Sequence, residues 1–182
     1  MAGRFIIHMK YTLCAFIFFI LTCSSTSTRS EQEKPPAVTD LGKFVKLNLS
    51  KKYSFAYNLL TDPKRISYEG ETKEEFAYGN SCGMGGDSPL GHEEYQLLYK
   101  LKRKDVFLNI LKGPNPVGRM YALQGLYFMQ GSGVKLTKEE TELVKAVIES
   151  PTKILTCSGC MYQYSTFKDE YEYLQKYYPY KP

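Results

Sequence analysis

The sequence predicts a mainly α-helical domain of short antiparallel helices, with a small β element in the N-terminal part and near a CxxC, and one disulfide. Three observations carry that expectation. From residue 88 onward apolar residues recur at helical spacing. Helix starts are marked by Ser88-Pro89, Asn115-Pro116 and the capping box Thr137 to Glu140. Gly113-Pro114, Gly131-Ser132-Gly133 and Pro151 then stop each helix early.

The chain opens with an export signal. Arg4 and Lys10 supply positive charge, and Leu13–Leu21 is a continuous apolar run. Nine such residues suit a signal peptide and fall short of the roughly 17–25 a membrane span needs. Residues 1–28 are therefore read as a signal peptide. Cleavage falls among Cys23, Ser24, Ser25 and Thr26, or before Cys23. Residues 29–38 form a flexible tether, and residues 39–182 a single mainly helical domain. Ile20-Leu21-Thr22-Cys23 resembles a bacterial lipobox. That resemblance implies that Cys23 is lipidated and tethers the chain to a membrane. Exported to the cell envelope or secreted, the domain meets an oxidising compartment.

The 182 residues carry 24 basic and 19 acidic side chains, a net charge of +5. Arg4 and Lys10 leave with the signal, so the mature excess is 22 − 19 = +3. That is not the footprint of a nucleic-acid binder. The two histidines are His8 and His92, and His8 leaves too. One remaining histidine excludes metal sites built on two or three, and leaves any hydrolase dependent on His92 with Glu93 or Glu94. Consecutive helix residues point apart, so that trio reads as a solvated face. The sequence points to no catalytic set, no metal site and no cofactor.

Residues 39–60 admit two readings. Val45, Leu47, Leu49, Tyr53, Phe55 and Tyr57 alternate as in a hairpin. Equally, Ser50 starts a helix that buries Tyr53, Tyr57 and Leu60. Asp62-Pro63 ends either one. Asn48-Leu49-Ser50 is a glycosylation sequon, usable only in a eukaryotic secretory pathway. Asn80–Asp87 is glycine-rich and lacks the Gly-Lys-Ser/Thr ending of a phosphate loop, so it reads as a loop around a bridged Cys82.

The first helix of the 88–150 region runs to about Arg103 and buries Leu90, Tyr95, Leu98 and Leu101. Asp105 caps a second, with Phe107, Ile110 and Leu111 inward. The third, Pro116 to about Gln130, is apolar nearly all round and is therefore central. Its Gly118, Ala122 and Gly125 form a stripe that admits a close neighbour. Arg119 on that helix needs a carboxylate or a helix C-terminus, with Asp87 a candidate. The fourth helix buries Leu143, Val144, Val147 and Ile148. A last amphipathic helix starts near Thr166 with Phe167, Tyr171, Leu174 and Tyr178.

Five cysteines are present: Cys14, Cys23, Cys82, Cys157 and Cys160. Cys14 leaves with the signal. Cys82 is expected to bridge Cys160, with Cys157 as the alternative. The Ser158-Gly159 turn, which would bend the chain toward the Cys82 loop, favours Cys160. Tyrosine is the compositional oddity, with 16 copies and no tryptophan. Seven follow position 160. They suit the edge of a small core or a partner surface. Lys51, Lys52, Lys64, Arg65 and the Lys100–Lys104 run read as solvated helix ends.

The segments Val106–Gly113 and Pro116–Met129 resemble HEAT-type helical pairs. The chain is also similar to small exported bacterial proteins, lipoproteins among them, that place a Cys-Gly loop before such helices and Ser-Gly-Cys after them. The resemblance implies a fold and an export route and supplies no activity. The functional expectation is a non-enzymatic interaction module with a protein partner. The alternative is an envelope thiol-redox or metal-binding protein using Cys157 and Cys160.

Overall fold

The computed structural model describes residues 42–65, 76–83, 85–159 and 161–180, all within the unit Glu33–Pro182. The predicted signal, the tether, Cys14, Cys23 and Cys160 lie outside the described residues. Six α-helices and one antiparallel strand pair are described, so the domain is mainly helical. No helix of the described residues is long and apolar enough to cross a membrane.

Helix α1 spans Lys51–Thr61. Of the two readings of residues 39–60, the helix is the one adopted. Ser50 starts it through its carbonyl, which accepts from Tyr53 N and Ser54 N at 2.9 Å. Ala56, Tyr57, Leu59 and Leu60 share the buried face, while Phe55 stands exposed. A hairpin would have turned Phe55 and Tyr57 to the same side, so helical spacing buries more apolar surface here. Residues 42–50 run without strand pairing. The amide of Asn109 takes the place of a partner strand: its Nδ2 donates to Val45 O at 2.6 Å and its Oδ1 accepts from Val45 N at 3.3 Å.

Helices α2 (Leu90–Tyr99), α3 (Lys104–Leu111) and α4 (Pro116–Gly131) follow. The start of α2 differs from expectation. Pro89 occupies the cap position, and no side chain bonds there; Ser88 lies outside it and donates instead to Asn80 O. The helix also ends at Tyr99, short of Arg103. In α3 the cap is Arg103, with Asp105 in the first turn and bonded to the Arg103 guanidinium at 3.1 Å. Its inward residues Phe107, Ile110 and Leu111 are fully buried.

The middle of the domain is α4. Asn115 caps it as its sequence requires, accepting from Gly118 N at 3.0 Å ahead of Pro116. Twelve of its 16 residues are buried. A Cβ on Gly118 would overlap the carbonyl oxygen of Leu60, so only glycine lets α1 and α4 approach this closely. The side chain of Arg119 reaches a helix end, donating from Nε to Gly113 O at 2.6 Å just beyond α3; it does not turn to Asp87. That carbonyl sits at the negative end of α3, where a cation is favoured.

Helix α5 (Lys138–Ile148) begins with the complete capping box. Thr137 Oγ1 accepts from Glu140 N at 3.2 Å, and Glu140 Oε2 accepts from Thr137 N at 2.7 Å. Strands β1 (Lys153–Ser158) and β2 (Met161–Thr166) pair antiparallel, with Ser158 opposite Met161. Helix α6 (Phe167–Tyr177) starts at Thr166, whose Oγ1 accepts from Asp169 N at 3.1 Å.

The bridge corrects an expectation. Cys82 is bonded to Cys157, the alternative partner, and not to Cys160; the two Cα atoms are 5.6 Å apart. Gly159 does lie beside Cys82, as the Ser158-Gly159 turn suggested, but the residue brought onto the Cys82 sulfur is Cys157 at the end of β1. Alternation along β1 then decides the pairing. Ile154 faces the main core, whereas Leu155 and Cys157 face a small second cluster with Ala77 and Cys82.

Candidate functional site

A cleft opens beside the bridge. Its walls come from three places: residues 78–81, the strand pair, and α6. Its volume is about 270 Å³. The side chains that give it chemical character are Tyr78, Gln163, Glu170, Tyr173 and Tyr178, with Leu174 and Cys157 behind them.

Each wall is held by a specific device. Residues 76–79 lie along β1, where Tyr78 N donates to Leu155 O and Cys157 N donates to Tyr78 O, both at 2.8 Å. The buried Tyr121 of α4 grips the same segment from behind. Its hydroxyl is 3.1 Å from Ala77 O and 3.0 Å from Gly79 O, and it accepts from Gly79 N at 3.2 Å. Gly79 packs so tightly against the Cys157 carbonyl that a Cβ would overlap it. The disulfide closes the far end of the segment, and Cys82 N donates to Asp87 O at 2.7 Å across the Gly-rich loop. Opposite, Thr156 Oγ1 donates to Gln163 O at 3.0 Å and tightens the strand pair.

Helix α6 brings Glu170, Tyr173 and Leu174 to the cleft, and Tyr178 follows at its C-cap. Glu170 is half-buried, and desolvation raises its pKa above the ordinary carboxylate value; a hydrogen bond from Ser165 opposes the shift. The Tyr78 phenol is pushed well up, first by burial and then by the Glu170 charge. Thus the two groups share one electrostatic environment. Among the described residues, none that lines the cleft is Lys, Arg or His. The basic residues of α6 are engaged elsewhere: Lys168 lies 3.9 Å from Glu172, and Lys176 sits over the Tyr177 ring at 5.1 Å.

The residues singled out in the sequence are distributed unevenly. Cys82 and Cys157 meet beside the cleft. His92 does not lie on a solvated face. It is 8% exposed, among the rings of Tyr95 and Tyr121, with centroids 6.0 and 6.2 Å away. Nε2 is 2.7 Å from the Gln96 side-chain nitrogen, and Nδ1 is buried without a hydrogen-bond partner. Burial lowers its pKa, against the opposing charge of Glu93, and so favours the neutral ring. Glu93 is exposed and Glu94 only half-buried. The three do not converge, which follows from their adjacent positions on one helix. In the Lys100–Lys104 run, Lys100, Lys102 and Arg103 are exposed, while Leu101 packs against the core and Lys104 pairs with Glu140 at 2.6 Å.

Tyr164 packs against the small second cluster, and the other six late tyrosines divide into two groups. Tyr171 and Tyr180 cover the core edge against Tyr127, with ring centroids 5.7 and 4.6 Å from it. Burial and its neighbours Tyr180 and Tyr127 push the Tyr171 phenol up to about 12. Tyr162, Tyr173, Tyr177 and Tyr178 stay exposed, with Met161 beside them on the strand pair. Sequence reasoning missed Glu170, Gln163 and Tyr78. For Glu170 a signal existed: it stands three residues after Phe167 and four before Leu174, an acid on the apolar face of α6.

Among the described residues, no group of three or more His, Cys, Asp and Glu side chains is arranged to hold a metal ion. No protein family, no curated protein and no solved structure matches the chain.

Proposed function

We propose that the chain is an exported, non-enzymatic interaction module of the cell envelope or the extracellular space. The observation that carries the reading is the Cys82–Cys157 bridge, which ties together residues 75 apart. Bridges of this kind persist in oxidising compartments. It is supported by the positive and apolar leader of the sequence, with Cys23 as the candidate lipid tether. The exposed tyrosines of β2 and α6 are the contact surface, since tyrosine supplies large rigid area with a polar tip. Cys157 also spends its sulfur on Cys82, which takes it from the Cys157–Cys160 pair that a thiol-redox role needs.

Intact-mass analysis of the isolated protein tests this. The expected mass lacks the leader and lacks two hydrogens for one disulfide, with an added diacylglyceryl mass if Cys23 is the mature N-terminus. A full-length, fully reduced chain in cytoplasmic extracts overturns the reading. Thiol trapping separates the alternative. If mild reduction frees Cys157 and Cys160 together while Cys82 stays blocked, the redox function replaces the interaction function.

A further inference from the structure

We propose that the cleft between residues 78–81 and α6 is a binding site for an organic cation, a primary ammonium or guanidinium group such as a lysine or arginine side chain carries. This names the ligand chemistry of the interaction module proposed above and rests on that reading.

The first argument is charge. Among the described residues, Glu170 is the one acid that lines the cleft, and no basic side chain lines it. The groups acting on its carboxyl are the Ser165 hydroxyl and the like charge of Asp169. A carboxylate half-removed from water, with no counter-ion among the described residues, sits at a cost that a bound cation removes. This occurs in a chain of net charge +5, so the negative spot is local and runs against the whole.

The second argument is the walls. Tyr78, Tyr173 and Tyr178 line the same cleft as the acid, and Tyr78 feels its charge. Aromatic faces attract ammonium and guanidinium groups through the ring quadrupole, and more strongly where water is thinned out. The aliphatic stem of such a side chain would lie against Leu174, and the Gln163 and Asn80 amides offer carbonyl acceptors for its remaining N–H groups. An anion would meet Glu170 with no positive partner, and a purely apolar ligand would leave the carboxyl desolvated and unpaired.

The third argument is size and rigidity. About 270 Å³ lies just under the roughly 300–1,000 Å³ of drug-sized sites, so it suits one side chain or a small amine and not a nucleotide cofactor. The walls are preformed: the bridge, the Tyr121 hydroxyl and the Thr156 hydroxyl fix them. Little ordering entropy is then lost on binding.

The test is titration of the isotope-labelled isolated protein, followed by NMR. The probes are acetyl-lysine amide, acetyl-arginine amide, putrescine, and the neutral acetyl-norleucine amide. The expected result is saturable shifts confined to residues 78–81, 163 and 170–178 with the cationic probes and none with norleucine. Glu170→Gln and Tyr173→Ala each weaken binding about tenfold, which is roughly 1.4 kcal/mol. Tyr162→Ala, outside the cleft, leaves it unchanged. Tyr173 is half-exposed, so its truncation spares the fold if the acid variant does not. Tighter binding of the amino-acid amides assigns a partner protein as the source, and tighter binding of putrescine a free amine. Equal binding of norleucine, no saturable binding of any cation, or full affinity in both cleft variants overturns the proposal. None of those failures alters the intact mass or the thiol pattern, so the export reading stands or falls separately.

Discussion

The surroundings of α4 and the corner that holds the cleft are built on different principles. Around α4 the chain excludes water by fit: Phe107, Ile110, Leu111, Met120, Leu123 and Leu126 are essentially inaccessible, and Gly118 brings two helices to backbone contact. The corner has a second apolar cluster of only Ala77, Cys82, Leu155 and Cys157, with Tyr164 against it. It is held instead by backbone pairing, a covalent bond and a tyrosine hydroxyl. The difference teaches where binding chemistry can be placed. A region secured by fit leaves little open space, whereas one secured by directional bonds can leave a cleft open beside them.

The largest effect expected is in the first region. Phe107→Ala should cost roughly 3–5 kcal/mol in denaturant unfolding, because the ring is fully buried against α2 and α4 and cannot be replaced by collapse. A loss below 1 kcal/mol would mean that the centre is looser than its burial implies.

Next comes the corner. Cys82→Ser opens a link across 75 residues, which in the chain-entropy picture stabilises by roughly 4 kcal/mol. Loss of yield and early unfolding are expected. Hydrogen exchange sharpens the comparison. If residues 76–83 and 153–158 lose protection while α4 keeps it, the two regions are separate cooperative units. Uniform loss would join them into one.

The third effect is electrostatic and has opposite signs in the two regions. His92 has a folded pKa below its ordinary 6.5, so its contribution is complete above that value and is lost as pH falls through the depressed folded value. Glu170 has a raised folded pKa, so its contribution is complete at low pH and is lost as pH rises through that raised value. Replacing His92 with Gln should therefore flatten the acid limb of a stability–pH curve. Glu170→Gln should raise stability modestly near neutrality, where the wild-type acid is charged. A His92→Gln curve as steep as the parent's would show that this ring does not titrate with folding.

The smallest effect tests a device common to ordinary helices. Thr137→Ala removes one half of the capping box and should cost about 1 kcal/mol, read as a small shift in the unfolding midpoint.

These regions were also unequally legible in the sequence. The helices of the centre announce themselves through local signals: Asn115-Pro116, Thr137 with Glu140, and Thr166 ahead of Phe167 each start a helix where the structure has one. Arg119 was readable too, because a lone cation on an apolar helix must find a carboxylate or a helix end, and Gly113 O is the latter. The N-terminal segment was not, since Val45 to Tyr57 fits two periods equally and the choice is made by Asn109, 64 residues from Val45. The same holds for the bridge. Whether Cys82 meets Cys157 or Cys160 depends on how residues 78–82 lie along β1, a non-local pairing that spacing does not encode. His92 was misplaced because its neighbours Glu93 and Glu94 suggest an outward face, while Tyr95 and Tyr121 draw it in.

The hydrogen-only positions carry a consequence for tracing ancestry. Gly79 and Gly118 are each shut in by a carbonyl oxygen from a distant segment, so no drift in the surrounding side chains could relieve a methyl there. A cousin whose sequence had diverged past alignment would still have to show glycine three places before its first bridging cysteine, and again as the third residue of an Asn-Pro-started helix. That sparse signature can recognise kin that overall similarity overlooks.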